Sequence, residues 1–171
     1  MKKQSLIFIL LLVCANYLFA QKKFKVNGVI FQTYTYCGGA EPMPEVLVEL
    51  ARPRPIIGKI IYIKKGNSNS VKSKVIAKLV TDSVGGFSIN LPKGNYCIVD
   101  ENKTKPLTIP KNNQVMKHDV KCLTEQFQKC DFSLNVLNKE VAGIQIIYHE
   151  YCSWAKPCIH YSGPLPPGVS R

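Results

Sequence analysis

Residues 81–99 read TDSVGGFSINLPKGNYCIV, and the fold turns on this stretch. Phe87, Ile89 and Leu91 alternate with Ser88, Asn90 and Pro92, the period of a strand with one buried face. Ahead of them, Asp82-Ser83-Val84-Gly85-Gly86 supplies turn chemistry: an Asp that can bond its own backbone, and glycines free to take positive φ. Behind them, Leu91-Pro92-Lys93-Gly94 reverses the chain into a second strand through Tyr96 and Ile98. The spacing predicts a β-hairpin with an apolar inner face.

Working outward, Phe24 to Phe31 reads as an opening strand with Phe24, Val26 and Ile30 on one face. An irregular loop, 33–44, follows, and Val46-Leu47-Val48-Glu49-Leu50 has the pattern of a second strand. Arg52-Pro53-Arg54-Pro55 breaks regular structure, since its prolines cannot donate to a ladder. Strands are expected over 58–65 and 74–81, separated by the polar loop 66–70. Beyond Asp100 come short extended pieces at 106–110 and 114–120, and a helical turn or two at 123–129 with Thr124 as its cap. Strands at 132–136 and 141–151 follow, the last with Ile144, Ile146 and Tyr148 on one side, and the tail 162–168 is extended or polyproline-like. Eight to ten short strands with little helix predict an all-β sandwich, with a cysteine-rich, mostly β C-terminal extension.

The pattern D-x-x-G-x-F followed by L-P-x-G-x-Y resembles the carboxypeptidase regulatory-like (prealbumin-like) β-sandwich domain found in secreted and envelope proteins, those of Bacteroidetes included. It is carried by Asp82, Gly85 or Gly86, Phe87, Leu91, Pro92, Gly94 and Tyr96. The resemblance covers 24–102 and implies a prealbumin-like (Ig-like) fold and a non-catalytic structural or binding module. It leaves the cysteine-rich C-terminal third unaccounted for. The expected organisation is a signal peptide over 1–20, a sandwich core over 21–102, and a segment over 103–171 that completes or extends it.

Met1-Lys2-Lys3-Gln4-Ser5 is a basic leader, and Leu6 to Phe19 is an apolar run of signal-peptide length, with cleavage expected after Ala20. The run is short for a membrane span, so no transmembrane segment is expected after its removal. An uncleaved anchor, or a lipoprotein acylated on Cys14, is the lesser reading, the latter because Val13 stands where a small residue is wanted. Export to periplasm or exterior follows.

Once Cys14 leaves with the leader, six cysteines remain: Cys37, Cys97, Cys122, Cys130, Cys152 and Cys158. In an oxidising compartment they read as three disulfides, with fifteen connectivities open. Cys152 with Cys158, and Cys122 with Cys130, could each close a small local loop, or Cys122 and Cys130 could each reach a strand of the sandwich.

The net charge of +12 is carried mostly by scattered lysines, two of them in the leader. Nucleic-acid binding would call for a recognised module or clustered arginines with aromatics, so no nucleic acid is expected. The charge fits solubility or attraction to anionic envelope surfaces.

Reactive side chains concentrate at 149–160, HEYCSWAKPCIH. His149, Cys152, Cys158 and His160 offer imidazole and thiolate for Zn or Cu, although the spacing matches no standard finger and an oxidised pair would remove both sulfurs. The alternative function is therefore a metal-binding envelope protein, while the leading reading needs no cofactor. Trp154, with Tyr36, Tyr148, Tyr151 and Tyr161, forms a candidate surface for a protein, peptide or glycan. Neither G-x-S-x-G nor H-E-x-x-H occurs, so the sequence points to no catalytic residues and to no enzyme.

Overall fold

A computed structural model describes residues 22–38 and 41–165. The leader, Cys14, Gly39 and the end of the proline-rich tail fall outside the described residues.

Two sheets face each other. The first is built on β1 (Lys23–Tyr34), which pairs antiparallel with β5 (Gly86–Pro92) over its first half and with the two-residue β2 (Arg54–Pro55) further along. Its other side pairs in parallel with β9 (Val141–Glu150). The second sheet runs in the order β4 (Val75–Val80), β3 (Ile60–Lys65), β6 (Gly94–Asp100), β8 (Phe132–Val136), all antiparallel. Strands β8 and β9, from the C-terminal third, thus join one sheet each. A separate ribbon pairs β7 (Met116–His118) with β10 (Ile159–Tyr161).

The alternation read from sequence fixes which side chains meet between the sheets. Val26 and Ile30 from β1, Phe87 and Leu91 from β5, and Ile144 and Ile146 from β9 point inward from one sheet. Ile61, Ile63, Tyr96, Ile98, Leu134 and Val136 meet them from the other. Each buried aliphatic or aromatic side chain contributes about 1.5–3 kcal/mol of transfer free energy, which makes this layer the principal source of stability. Gly28 sits where β1 is tightest. A Cβ there would lie 2.5 Å from the Ile144 carbonyl oxygen and 2.9 Å from the Phe87 ring, so no larger residue fits without moving β9.

The central stretch corrects one expectation. β5 and β6 are not hairpin partners: the turn at Pro92–Gly94 carries the chain from one sheet to the other, and the two strands face each other across the core. The Tyr96 hydroxyl, donating to the Pro92 carbonyl at 2.7 Å, closes this arch. Alternation reports which face is buried, not which strand lies alongside. β6 is buried on both faces, Tyr96 and Ile98 inward, Cys97 and Val99 outward beneath Cys130 and Tyr62. The turn before β5 also crosses between sheets. There Asp82 behaves as its sequence implies, accepting from the Val84 and Gly86 N–H groups at 3.0 and 2.7 Å.

Four further expectations change. Val46–Leu50 lies in helix α1 (Pro44–Ala51), not a strand, and none of its residues is buried. With Pro44 pre-set for the first turn and no core face to serve, the Glu-, Leu- and Ala-containing run follows its helical preference. Arg54–Pro55, expected to break regular structure, forms the short β2 on the edge, as proline tolerates. The helix expected at 123–129 is α2 (Val120–Gln128), capped by Asp119, whose carboxylate accepts from the Cys122 N–H at 3.0 Å. Thr124 lies inside it and donates to the Val120 carbonyl. Segment 106–110 forms no strand.

The outer face of the second sheet is covered through one buried cation. Lys64 is 1% exposed, and its ammonium donates to Asn69 Oδ1 at 2.7 Å, to the Ser70 carbonyl at 3.0 Å and to the Lys103 carbonyl at 3.1 Å. Burial pulls its pKa below the ordinary lysine value. All three ammonium protons have acceptors, which offsets much of the cost of burying the charge. Asn69, also buried, donates to the Lys103 and Phe127 carbonyls. Together the two side chains bind β3, loop 66–70, the 3-10 turn Asn102–Thr104 and the end of α2.

Candidate functional site

The three disulfides are Cys37–Cys152, Cys97–Cys130 and Cys122–Cys158. Neither local pairing considered from sequence forms. Cys152 reaches the segment after β1, because β9 runs parallel to β1 and both strands deliver their C-terminal ends to the same edge of the sandwich. Cys130 turns back to the outer face of β6, and Cys122 on the first turn of α2 reaches Cys158.

This pairing gives residues 153–157 a specific mechanical setting. They form a strap whose two ends are fixed to different parts of the molecule, Cys152 to the end of the first sheet and Cys158 to α2. Cys158 adopts a left-handed backbone conformation (φ 65°), unusual for a residue with a side chain. The Cys122 bridge and an N–H of Asp119 donating to its carbonyl at 3.0 Å hold it there.

Trp154 projects from the strap into an open cleft of about 780 Å³. One wall is Thr35 and Tyr36 after β1, and the other is the β7–β10 ribbon with Lys117, His160 and Tyr161. Trp154, Tyr36 and Tyr161 are each half-buried. The Tyr161 hydroxyl donates to the Pro164 carbonyl at 3.0 Å, folding the start of the tail back so that Leu165 joins the lining. Lys117 and His160 are paired across the ribbon, which places both on one face of it. The cleft therefore combines three aromatic rings with an ammonium and an imidazole, on walls crosslinked twice. Such a surface can stack flat apolar faces and donate hydrogen bonds to oxygen-rich groups.

The candidate aromatic set divides. Tyr36, Trp154 and Tyr161 share this cleft, whereas Tyr148 and Tyr151 line a second groove of about 760 Å³ between β9 and α2. Tyr148 is committed to structure: its hydroxyl donates to Asp131 Oδ2 at 2.9 Å, and the Lys59 ammonium lies 4.6 Å above its ring. Burial first, then the Asp131 carboxylate, drive its pKa far above that of an ordinary phenol. Asp131 also accepts from the Asp100 N–H and from Lys103 Nζ, tying the two sheets together on this side.

The metal-ligand set His149, Cys152, Cys158 and His160 is not assembled. Both sulfurs are in disulfides to other partners, which leaves no thiolate. His149 places Nδ1 2.7 Å from Thr33 Oγ1 and Nε2 2.7 Å from Thr35 Oγ1, with Tyr151 edge-on at 4.5 Å, so neither ring nitrogen is open to an ion. Among the described residues, no group of three or more His, Cys, Asp or Glu is placed to hold a metal. Among them also, no helix is long and apolar enough to cross a membrane. Lys117 was not singled out from sequence; only its pairing with His160 across a non-local ribbon brings it to the site.

No protein-family model and no curated protein matches the chain. Among solved structures, the chain is similar to a mutant form of the shaft pilin SpaA of Lactobacillus rhamnosus GG. Identity is 13% and the TM-score 0.42, with 77% of this chain and 52% of that one covered. It is also similar to the minor pilin of Streptococcus agalactiae, at 11% identity and a TM-score of 0.39, with coverages of 88% and 49%. This chain spans about half the length of each. A likeness of this degree assigns neither a family nor a role.

Proposed function

We propose that this chain is a non-catalytic binding module that works outside the cytoplasm, and that the Trp154 cleft is its recognition surface for a carbohydrate, preferentially an anionic one. The observation that carries the reading is the strap: an exposed loop bearing the only tryptophan of the chain is pinned at both ends by disulfides, facing Tyr36, Tyr161, Lys117 and His160. Binding residues on loops held by a rigid scaffold meet their ligand with less ordering cost. Sugar rings present flat C–H faces suited to the three aromatic rings, and acidic sugars add carboxylates for Lys117. Three disulfides suit an oxidising compartment, in keeping with the leader read from sequence. The prealbumin-like family and an envelope setting belong to this same proposal, supported by the motif of residues 82–96.

Because the chain has one tryptophan, its emission reports the cleft without labelling. Titration with a panel of neutral and uronic-acid oligosaccharides should shift that emission saturably for at least one anionic sugar. Trp154→Ala should abolish binding as read by calorimetry, and Lys117→Gln should weaken it about 10–150-fold, the loss of one charged hydrogen bond. A panel that leaves the emission of Trp154 unchanged throughout overturns the carbohydrate reading.

A further inference from the structure

β9 lies at the rim of its sheet. One side pairs in parallel with β1, and among the described residues no strand pairs with the other. The Thr35 N–H donates to the Glu150 carbonyl at 3.0 Å. Backbone groups alternate along a strand, so Ile144, Ile146, Tyr148 and Glu150 turn theirs toward β1, while Gln145, Ile147 and His149 turn theirs outward. Four consecutive residues, 146–149, line the 760 Å³ groove. Since side chains alternate faces, four in a row can line one groove only where it runs along the strand's edge.

This edge lacks the usual guards. Exposed edges commonly carry lysine, proline or a bulge that discourages another strand. Residues 144–150, IQIIYHE, contain neither Lys nor Pro, and the irregular pairing with β1 is confined to the far end near Val26 and Gly28. Ile147 is 53% exposed.

Charge selects the occupant. The opposite wall carries Lys103, Lys105 and Lys129 with the apolar Leu107 and Phe127. Its one lining carboxylate, Asp131, is already taken by Lys103 and Tyr148, and Lys105 shares only an exposed 3.4 Å ion pair with Glu101. A second copy of a chain with net charge +12 would bring like charge to this rim. We propose that the free edge of β9 accepts an extended, acidic segment of a partner protein as an added strand. Its backbone would pair with Gln145, Ile147 and His149, its apolar side chains enter the groove, and its carboxylates meet Lys105 and Lys129. Strand addition of this kind draws affinity from main-chain bonds and selectivity from alternate side chains. The site is separate from the Trp154 cleft, and neither proposal depends on the other.

The test uses the oxidised, isotope-labelled protein with two capped nine-residue peptides, one alternating valine with glutamate and one alternating valine with lysine. The glutamate peptide should slow amide exchange at Gln145, Ile147 and His149 by about tenfold or more, and leave Ile146 and Tyr148, already bonded to β1, unchanged. The lysine peptide should slow none of these amides, and Trp154 emission should stay constant with both. Ile147→Pro removes an outward N–H without touching the β1 ladder, so it should keep the disulfides and sheet signal but lose the protection. Should that variant fail to fold, the exposed pair Lys105→Glu with Lys129→Glu should instead reverse the preference between the peptides. Equal response to both peptides overturns the proposal, as do outward amides already slow in the free monomer. Protection that rises with protein concentration alone overturns it in favour of a second copy.

Discussion

Replacing Cys122 and Cys158 together by serine should loosen the strap before it loosens the sandwich. The bridge closes a loop with a sequence separation of 36, for which chain entropy gives an upper limit of about 4 kcal/mol at 25 °C. Against this, Cys158 would be free to leave its left-handed conformation, which returns about 1–2 kcal/mol. A net loss of about 2–3 kcal/mol remains, set against a total stability of about 5–15 kcal/mol for a domain of this kind. The loss should be local, because Cys122 and Cys158 join α2 to the strap and the β7–β10 ribbon, while the core between the sheets includes neither. Urea unfolding followed by two signals separates the cases: tryptophan fluorescence reports the strap, and far-ultraviolet circular dichroism reports the sheets. With a denaturant slope of about 1–3 kcal/mol/M, the fluorescence midpoint should fall by about 0.7–3 M, ahead of a smaller shift in dichroism. Coincident midpoints that fall together, or a fluorescence midpoint equal to that of the parent protein, would refute the local anchoring.

Gly28→Ala should destabilise by about 1–3 kcal/mol, since its Cβ would press on the Ile144 carbonyl, and thermal unfolding should show a lower Tm with the disulfides intact. Tyr148→Phe removes a hydrogen bond to the Asp131 carboxylate and should cost about 1.5–3 kcal/mol at neutral pH by chemical denaturation. The same substitution should flatten the alkaline limb of the stability profile. The folded state raises the Tyr148 pKa, so it holds a proton that the unfolded chain releases near pH 10, and the parent protein loses stability as pH climbs past that point while the variant loses less.

Much of the core was legible because its signal is local. Phe24, Val26 and Ile30 share the inner face of β1, and Phe87 and Leu91 that of β5, as the two-residue period implies. Asp82 likewise bonds its own turn. What could not be read is the partner of each strand. The arch at Pro92–Gly94 and a hairpin have the same sequence pattern, and only the pairing of β5 with β1 and β6 with β3 separates them. Val46–Leu50 misled because a short run of four apolar residues in five fits a strand or a helical turn equally, and the deciding fact, the absence of any burying surface, is tertiary. The cap of α2 was available: Asp119 stands directly before the helix and three residues ahead of the N–H it receives. Lys64 carried a weaker signal. A lysine continuing the run Ile60-Ile61-Tyr62-Ile63 belongs to a strand covered on both faces, but while Asn69 and Ser70 lie in the loop just after it, its third acceptor, the Lys103 carbonyl, comes from a segment distant in the chain. The site was half legible. Trp154 and the cysteines stood out by type, whereas the parallel β1–β9 pairing that brings Cys37 to Cys152 has no local trace.

The strap depends on Cys152 and Cys158 having different partners, and digestion of the unreduced protein with trypsin tests this directly. Lys156 precedes Pro157 and resists cleavage, so both cysteines stay on one peptide, 140–171. Mass spectrometry should find that peptide joined at once to 26–59, through Cys37, and to 122–129, through Cys122, with 94–103 joined separately to 130–139. Peptide 140–171 closed on itself, with 122–129 joined to 130–139, would contradict the account.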